Sequence, residues 1–172
     1  MGGSVRVIGT RVAPAIGGAM IVRATFGSVT LGAGFTARAA VAYAKGSSKA
    51  RGVSTPLVSI DPVKITGGVG YRAPSGRFGA DLSVIHADRK SASRTGVTCA
   101  GGCFTPAAFT VADATAWWAV TEAVTVRAGV FNLTDEKYWW WSDVRGLSDT
   151  SVVKDAYSQP GRNYSVSLAL KF

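Results

Sequence analysis

Long apolar runs are missing from this sequence. No stretch comes near the roughly 20 consecutive apolar residues that a membrane-spanning helix needs, although 47% of the chain is hydrophobic. The first residues also lack the basic start, the apolar core and the small-residue cleavage site of a secretory signal. The sequence as it stands is therefore not expected to direct its own export, and any crossing of a membrane must be made by strands.

Groups for acid–base or nucleophilic catalysis are also scarce. The chain has a single histidine, His86, which leaves no arrangement of the Ser/His/acid kind. The acidic residues Asp135, Glu136, Asp143 and Asp149 fall in a region predicted to be a loop, where solvated charges are expected. We predict no enzyme.

Glycine, alanine, valine, threonine and serine are abundant, and leucine and isoleucine are few, which is typical of an all-β chain with many turns. The clearest strand covers residues 162–172, which alternate strictly. Eleven residues with a rise of roughly 3.3 Å each, tilted by 45°, cross about 25 Å, the height of the outer-membrane hydrocarbon band. Its apolar set is Tyr164, Val166, Leu168, Leu170 and Phe172.

The same alternation recurs along the chain. It is clear at residues 35–44, 63–72, 78–84 and 124–130, blurred at 17–26 and 107–119, and weak at 4–12. These segments predict an antiparallel amphipathic meander of about seven or eight strands. The set opposite the apolar side chains is repeatedly polar or small, as expected for the water-filled interior of a barrel.

Long and short connections alternate between these strands. Counted back from the C-terminus they are 132–161 (long), 120–122 (tight), 88–106 (long), 73–76 (tight), 46–61 (long) and 27–33 (shorter). Outer-membrane barrels have short periplasmic turns and long extracellular loops, so this order predicts the C-terminal part of a transmembrane β-barrel. A soluble β-sandwich, of the kind that binds carbohydrate, would alternate too but need not place its long loops at one end.

Three segments resemble a known family. The stretch Val130-Phe-Asn-Leu-Thr-Asp-Glu-Lys-Tyr138, then Tyr157-Ser-Gln-Pro-Gly-Arg162, then a terminal strand ending in Phe172, resembles the C-terminal end of TonB-dependent outer-membrane receptors. Leu57-Val-Ser-Ile-Asp-Pro-Val-Lys64 and the run of aromatic residues at 138–141 look more particularly like the haem/haemoglobin receptor branch. The resemblance covers residues 15–172.

The resemblance implies a receptor larger than this chain. Such receptors close a barrel of about 22 strands around a plug domain, which engages the TonB system. We therefore predict that residues 1–172 are a C-terminal β-barrel segment without plug or signal peptide, part of an importer of haem or another iron carrier, in the bacterial outer membrane. The expected partners are outer-membrane lipid, the rest of the barrel and plug, TonB through that plug, and the barrel-assembly machinery, for which the apolar set of the terminal strand resembles the recognition signal.

One alternative keeps the membrane but drops transport. If residues 4–12 form a strand, eight strands could close into a small barrel with a structural or adhesive role. Inward glycines and alanines would leave such a small barrel poorly packed. An open sheet in lipid, by contrast, would leave backbone groups of both edge strands without partners.

The run Tyr138, Trp139, Trp140 and Trp141 is the candidate ligand-contacting loop. Four consecutive rings cannot all point the same way in a strand, and exposed rings are common contact anchors. An aromatic belt at the membrane interface, combined with packing of the loop on itself, would use the same residues. Both interpretations stay open at this stage. Haem is expected as transported ligand, with no cofactor bound by this segment.

Histidine and cysteine are candidates for a haem or metal site. His86 falls on the lipid side near the outer rim, so an interfacial or loop-supporting role is expected rather than haem ligation. Cys99 and Cys103 lie in a predicted extracellular loop rich in glycine. We favour a disulfide there, because two cysteines alone supply only half of a tetrahedral metal site. No metal site is predicted.

The net charge of +9 is dispersed along the chain. Several of the basic residues fall on the predicted lumen faces of strands: Arg38, Lys64, Arg72, Arg127 and Lys171. This distribution suits anionic lipid head groups and a polar channel better than the clustered charge of a nucleic-acid-binding surface, so no nucleic-acid partner is expected.

Overall fold

A computed structural model describes residues 5–8, 18–95, 99 and 101–172, and they form one antiparallel sheet. The strands are β1 (Val5–Ile8), β2 (Gly18–Gly32), β3 (Phe35–Ala50), β4 (Val53–Pro56), β5 (Lys64–Arg72), β6 (Phe78–Ala87), β7 (Phe109–Ala119), β8 (Val124–Phe131) and β9 (Asn163–Leu170). The predicted strands at 4–12 and 17–26 lie partly outside the described residues.

Eight of these strands follow one another as a meander in the order β1-β2-β3-β5-β6-β7-β8-β9, while β4 pairs only with the far end of β3. The predicted all-β meander of seven to eight strands is therefore confirmed. Over the described residues the sheet stays open, because β1 pairs only with β2 and β9 only with β8. The eight-stranded closed barrel is thus not formed by this part of the chain.

The pairing register sorts the side chains onto two faces, because residues directly opposite each other point to the same side. The polar face carries Thr36, Arg38, Gly68, Gly70, Asp81, Ser83 and Asp113. On it, an Arg38 guanidinium nitrogen lies 2.7 Å from Asp81 Oδ1, and a Cβ at Gly70 would lie 2.7 Å from the same oxygen. Small residues on this face therefore make room for the ion pair.

The apolar face carries Val69, Leu82, Val130, Tyr164 and Val166. No second layer covers it within the described part of the chain: Val166 is 77% exposed and Leu168 62%. A β-sandwich would bury these side chains between two sheets. The single layer is the arrangement of a membrane-spanning wall.

The connections separate into two ends of the sheet. The turn end holds the connections at 33–34, 73–77 and 120–123 together with the chain terminus, since the Lys171 amide donates to Ala123 O at 2.9 Å. The loop end holds those at 51–63, 88–108 and 132–162. This is the predicted segregation of short turns from long loops.

Two predicted connections were wrong in their bounds. The connection placed at 27–33 is a two-residue turn, because β2 runs on to Gly32 and Ala33 and Gly34 both have positive φ, of 48° and 86°. Gly34 is also required by space, since a Cβ would lie 2.0 Å from Arg72 O. The long loop placed at 46–61 is strand up to Ala50 and again in β4. Beyond the hydrocarbon band a strand needs no apolar alternation, so the pattern does not show where it ends.

Within the described residues, helical structure is limited to short segments. They are α1 (Trp141–Val144) and two 3₁₀ turns at Ala92–Arg94 and Lys154–Tyr157. None of the helices in the described ranges has the length and apolar character needed to cross a membrane. All three lie at the loop end.

Candidate binding site at the loop end

Asn132 organises the base of the last loop. It ends β8 with a φ of +52° and is buried, with 4% of its surface exposed. Its Nδ2 donates to Glu136 O at 2.8 Å and to Pro160 O at 3.2 Å, and its Oδ1 accepts from the Glu136 amide at 2.9 Å. The side chain therefore holds the start of the loop against its end.

A second clamp lies beside the first. Asp135 Oδ1 accepts a hydrogen bond from the backbone amide of Arg162 at 2.7 Å. The backbone amide of Gln159 donates to Tyr138 O at 2.9 Å. The segments 130–138 and 157–162, which together carry the family resemblance, are thus joined in space. Their co-occurrence in the sequence has a physical basis, because each supplies the other's hydrogen-bond partners.

The loop then folds over the polar face. Phe109, Val111 and Ala87 form a buried cluster at the loop end, and Tyr138 and Trp140 pack against it. The ring centroids of Phe109 and Tyr138 are 4.3 Å apart, and those of Phe109 and Trp140 are 4.9 Å apart. Since the cluster shares the face of Ser83 and Asp113, these two rings lie on the lumen side. They are not placed as a lipid-facing belt.

The other two rings of the run pack within the loops. Trp141 is 3% exposed, and its Nε1 donates to Val58 O at 2.8 Å in the connection between β3 and β5. Trp139 meets Phe104 edge to face, with centroids 5.4 Å apart, and its Nε1 donates to Lys154 O at 2.9 Å. The aromatic run thus ties all three long connections into one cap.

A lysine lies over each tryptophan of the run. Lys64 Nζ is 4.1 Å from the centroid of Trp140, Lys90 Nζ is 5.1 Å from that of Trp141, and Lys137 Nζ is 5.4 Å from that of Trp139. Cation–π attraction stabilises such pairs, more strongly where water is excluded. These ammonium groups make the cap basic as well as aromatic.

Lys90 is the most enclosed of the three, with 5% of its surface exposed. Its Nζ donates to Ile60 O. Burial lowers the pKa of Lys90, and the nearby positive charge of Arg94 lowers it further, while Asp61 acts in the opposite direction. Lys90 thus links the connection before β5 to the one after β6.

The phenol of Tyr138 lies in a partly buried position near a negative charge. Burial raises the pKa of Tyr138, and the negative charge of Asp113 raises it further. Asp113 Oδ1 accepts a hydrogen bond from the backbone amide of Asn132 at 2.8 Å. The Asp113 carboxylate therefore lies near both Asn132, where the last loop begins, and the ring of Tyr138.

Cys99 and Cys103 form a disulfide. The bridged turn and the residue after it pair with the last loop: the Asp149 amide donates to Gly102 O at 3.0 Å, and the Phe104 amide donates to Leu147 O at 2.9 Å. The bridged turn thereby borders the cap. His86 lies away from it, with Nδ1 2.9 Å from Thr110 Oγ1 on the apolar face. Within the described residues, no three His, Cys, Asp or Glu side chains gather as a metal site.

The terminal-strand set lies on β9 and after it. Tyr164, Val166, Leu168 and Leu170 share the apolar face, and Phe172 follows at the turn end. The opposite, polar face of that end carries Trp117, over which Arg72 lies, with its Cζ 5.3 Å from the ring centroid. This places a fourth pair of a cation and a tryptophan at the turn end, away from the three in the cap.

Sequence reasoning missed several residues of the cap. Lys64 was assigned to the lumen face by alternation, but not to a ring. Asn132 lies within the motif at 130–138 with no predicted role, although asparagine adopts a positive φ more often than most residues. Lys90 and Val58 carried no signal, since their partners are remote in the sequence: Val58 lies 83 positions from Trp141.

Comparisons with known proteins point in one direction. No family model matches the chain. It is 28% identical over 163 residues to haemoglobin-haptoglobin utilization protein B of Neisseria meningitidis serogroup C, which is 84% of this chain and 20% of the relative. It is 28% identical over 138 residues to the haemoglobin and haemoglobin-haptoglobin-binding protein of Haemophilus ducreyi, which is 70% of this chain and 14% of the relative. The chain therefore spans about a fifth or less of these relatives' length.

Solved structures share the architecture. The copper transporter OprC matches with a TM-score of 0.71 and 22% identity, over 90% of this chain and 24% of that one. The ferripyoverdine receptor of the Pseudomonas aeruginosa outer membrane matches with a TM-score of 0.64 and 11% identity, over 90% of this chain and 20% of that one. The resemblance seen in the sequence is confirmed: the chain is similar in sequence to haemoglobin-binding and haemoglobin-utilization proteins, and it shares the fold of the barrel wall of solved outer-membrane receptors and transporters.

Proposed function

We propose that this chain forms the C-terminal part of the barrel wall, residues 1–172, of an outer-membrane receptor that imports haem or another iron carrier. The loop end faces the outside and contributes to ligand capture, and the polar face lines the passage. The rest of the barrel, the plug and, through the plug, the TonB system are its partners. Outer-membrane lipid covers the apolar face.

The cap is the observation that carries this proposal. Tyr138 and Trp140 lie on the lumen side of the wall, at the end where a ligand would enter, and are half-buried rather than sealed. Flat aromatic rings with part of their surface open offer area for stacking or for a protein contact. The relatives that bind haemoglobin support an iron-carrying cargo.

The chemistry required of the chain is binding and passage. The relatives are named for binding and utilization, which supports a receptor role without a catalytic step. We assign the β9 set Tyr164, Val166, Leu168, Leu170 and Phe172 to recognition by the barrel-assembly machinery. Its exposed apolar side chains and free outer edge, within the described residues, support that assignment.

The test uses the complete receptor that carries this segment, in iron-limited cells without another route for haem. Growth on haemoglobin and haem binding by the purified receptor, followed by the Soret band, are measured together. We expect Trp140→Ala to weaken haem binding about tenfold or more, as loss of a contact anchor does. Trp118→Ala is the matched control, because Trp118 is 55% exposed on the apolar face at the turn end.

Folded receptor at the cell surface is quantified for each variant by heat-dependent migration on gels, so that loss of binding is not confused with loss of protein. A complete receptor that binds neither haem nor haemoglobin would overturn haem as the cargo. If the Trp140→Ala and Trp118→Ala receptors bind haem equally well, the cap is not part of the binding site.

A further inference from the structure

Two lysines of the cap differ in their charge partners. Lys64 and Lys137 both lie over tryptophans of the same run. Lys137 pairs with Asp155, with an Nζ to Oδ1 distance of 3.1 Å, and both side chains are more than half exposed. Lys64 is half-buried, and no described carboxylate lies within ion-pair distance of its Nζ. Its ammonium group is therefore partly dehydrated and held by an aromatic ring alone.

A cleft of about 340 Å³ opens beside Lys64, between the outer part of β3 and the segment before β5. Its walls include Ala42, Ala44, Leu57, Ile60 and Pro62. Ala42 and Ala44 belong to the polar face, because Ala42 lies directly opposite Lys64 and both alanines have the parity of Arg38 along β3, so this part of the cleft lies on the lumen side. Small apolar side chains leave the space, and Lys64 supplies a positive charge at its border.

Small-molecule sites are mostly apolar with a few polar groups that fix orientation. An ammonium group without an ionic partner beside apolar walls is complementary to an apolar molecule that bears an anionic group. A charge-assisted hydrogen bond is stronger than a neutral one, and more so where water is partly excluded. We propose that this cleft binds the carboxylate end of a largely apolar cargo molecule, with Lys64 as the residue that selects for the carboxylate.

This inference rests on the proposed function, and it adds the chemical class of ligand that the cleft beside Lys64 binds. Asp61 also borders the cleft and is exposed. Its negative charge repels an anionic ligand, so the cargo carboxylate lies at the Lys64 side of the cleft. The two charges therefore predict effects of opposite sign when each is removed.

The experiment compares haem with haem dimethyl ester, in which both carboxylates are capped, on the purified complete receptor. We expect Lys64→Gln to weaken haem binding about tenfold and to leave binding of the ester unchanged, since a hydrogen bond to a charged group is lost only for the acid. Lys64→Arg retains most of the haem affinity. Asp61→Asn binds haem more tightly. Lys171→Gln is the control, because Lys171 is exposed at the turn end, away from the cap, and this variant is expected to bind as the unaltered receptor does.

Equal loss of acid and ester in Lys64→Gln would overturn the proposal, because it would mean a structural role. Unchanged binding of both would overturn it as well. Capture of haemoglobin by whole cells is expected to be unaffected; its loss with normal haem binding would assign Lys64 to a carboxylate on a protein surface instead.

Metal-free protoporphyrin and its dimethyl ester, followed by tryptophan fluorescence, separate this inference from the proposed function. A receptor that discriminates between these two through Lys64 but supports no growth on haemoglobin would sustain the carboxylate site and overturn haem as the imported cargo. A receptor that binds haem with no discrimination between acid and ester would overturn the carboxylate site and sustain the proposed function. Binding of none of the four probes would overturn both.

Discussion

The backbone amide of Arg162 donates a hydrogen bond to Asp135 Oδ1 across 2.7 Å, which joins positions that are 27 residues apart. Beside it, Asn132 Nδ2 reaches Pro160 O at 3.2 Å. Both contacts bridge the two ends of a long loop at the point where β8 ends and β9 begins. The shape of the cap therefore depends on a few polar contacts at its base.

Replacing Asn132 tests this base. Asn132→Ala should lower the free energy of unfolding of the receptor by about 2 kcal/mol, because two carbonyl groups and an amide lose a buried partner and alanine fits a positive φ poorly. Urea unfolding in detergent micelles measures the loss. Asn132→Gly keeps the backbone conformation and isolates the hydrogen bonds. Asn163→Ala, at an exposed side chain that donates to Gly161 O, is the control, and an equal effect there would contradict the role of Asn132.

Gly79 and Gly67 form a matched pair for packing on the wall. A Cβ at Gly79 would lie 2.6 Å from Trp117 Nε1 and 2.7 Å from Tyr71 O, whereas a Cβ at Gly67 would meet nothing within 4 Å. Gly79→Ala should cost about 1–3 kcal/mol of stability, as overpacking does. Gly67→Ala should be close to neutral. The temperature at which each receptor loses its folded mobility on a gel gives the comparison, and equal temperatures would contradict the predicted overpacking at Gly79.

Trp141→Phe removes one hydrogen bond while keeping an aromatic ring. Val58 O then loses its donor, and we expect backbone amides near residue 58 to exchange hydrogen with solvent several-fold faster, in line with the loss of about 1 kcal/mol. Hydrogen exchange followed by mass spectrometry detects this at a site 83 positions from the substitution. Trp118→Phe should leave the exchange there unaltered. An unchanged rate in Trp141→Phe would mean that the cap is not coupled through this bond.

The raised pKa of Tyr138 predicts a response to alkali. The folded-state pKa of Tyr138 lies above the ordinary value of about 10, so the folded protein favours the neutral phenol. The stability that the neutral phenol contributes is fully present below that pH and is lost as the pH rises through the folded-state pKa. Tyrosinate absorbance of the receptor should therefore contain an ionisation step above pH 10 that Tyr138→Phe removes. Asp113→Asn should move that step to lower pH, since the smaller of the two causes is withdrawn. A step unaffected by either change would contradict the assignment.

The wall could be predicted from the sequence because its pattern is repeated and local. Strict alternation around Val166 and Val69 follows from one face meeting lipid and the other water, and short turns such as 73–77 follow from glycine and proline. Where that constraint stops, prediction stops too. Beyond Gly46 the strand β3 continues outside the apolar band, and no alternation reports it.

The cap could be predicted only in part, since its contacts are remote in sequence. The aromatic run 138–141 was identified as a candidate, but not its direction, which depends on Phe109 and Val111 in another strand. Nothing local links Lys64 to Trp140 or Trp141 to Val58. Such contacts form because the meander brings the loop end together, and they carry no signature of their own.

The clamp between Asn132 and Pro160 also couples the cap to β9. Pro160 stands three residues before β9, so the pairing of β9 with β8 helps to hold its carbonyl beside Asn132. Any loosening of β9 from β8 is therefore expected to release the two ends of the aromatic loop from each other.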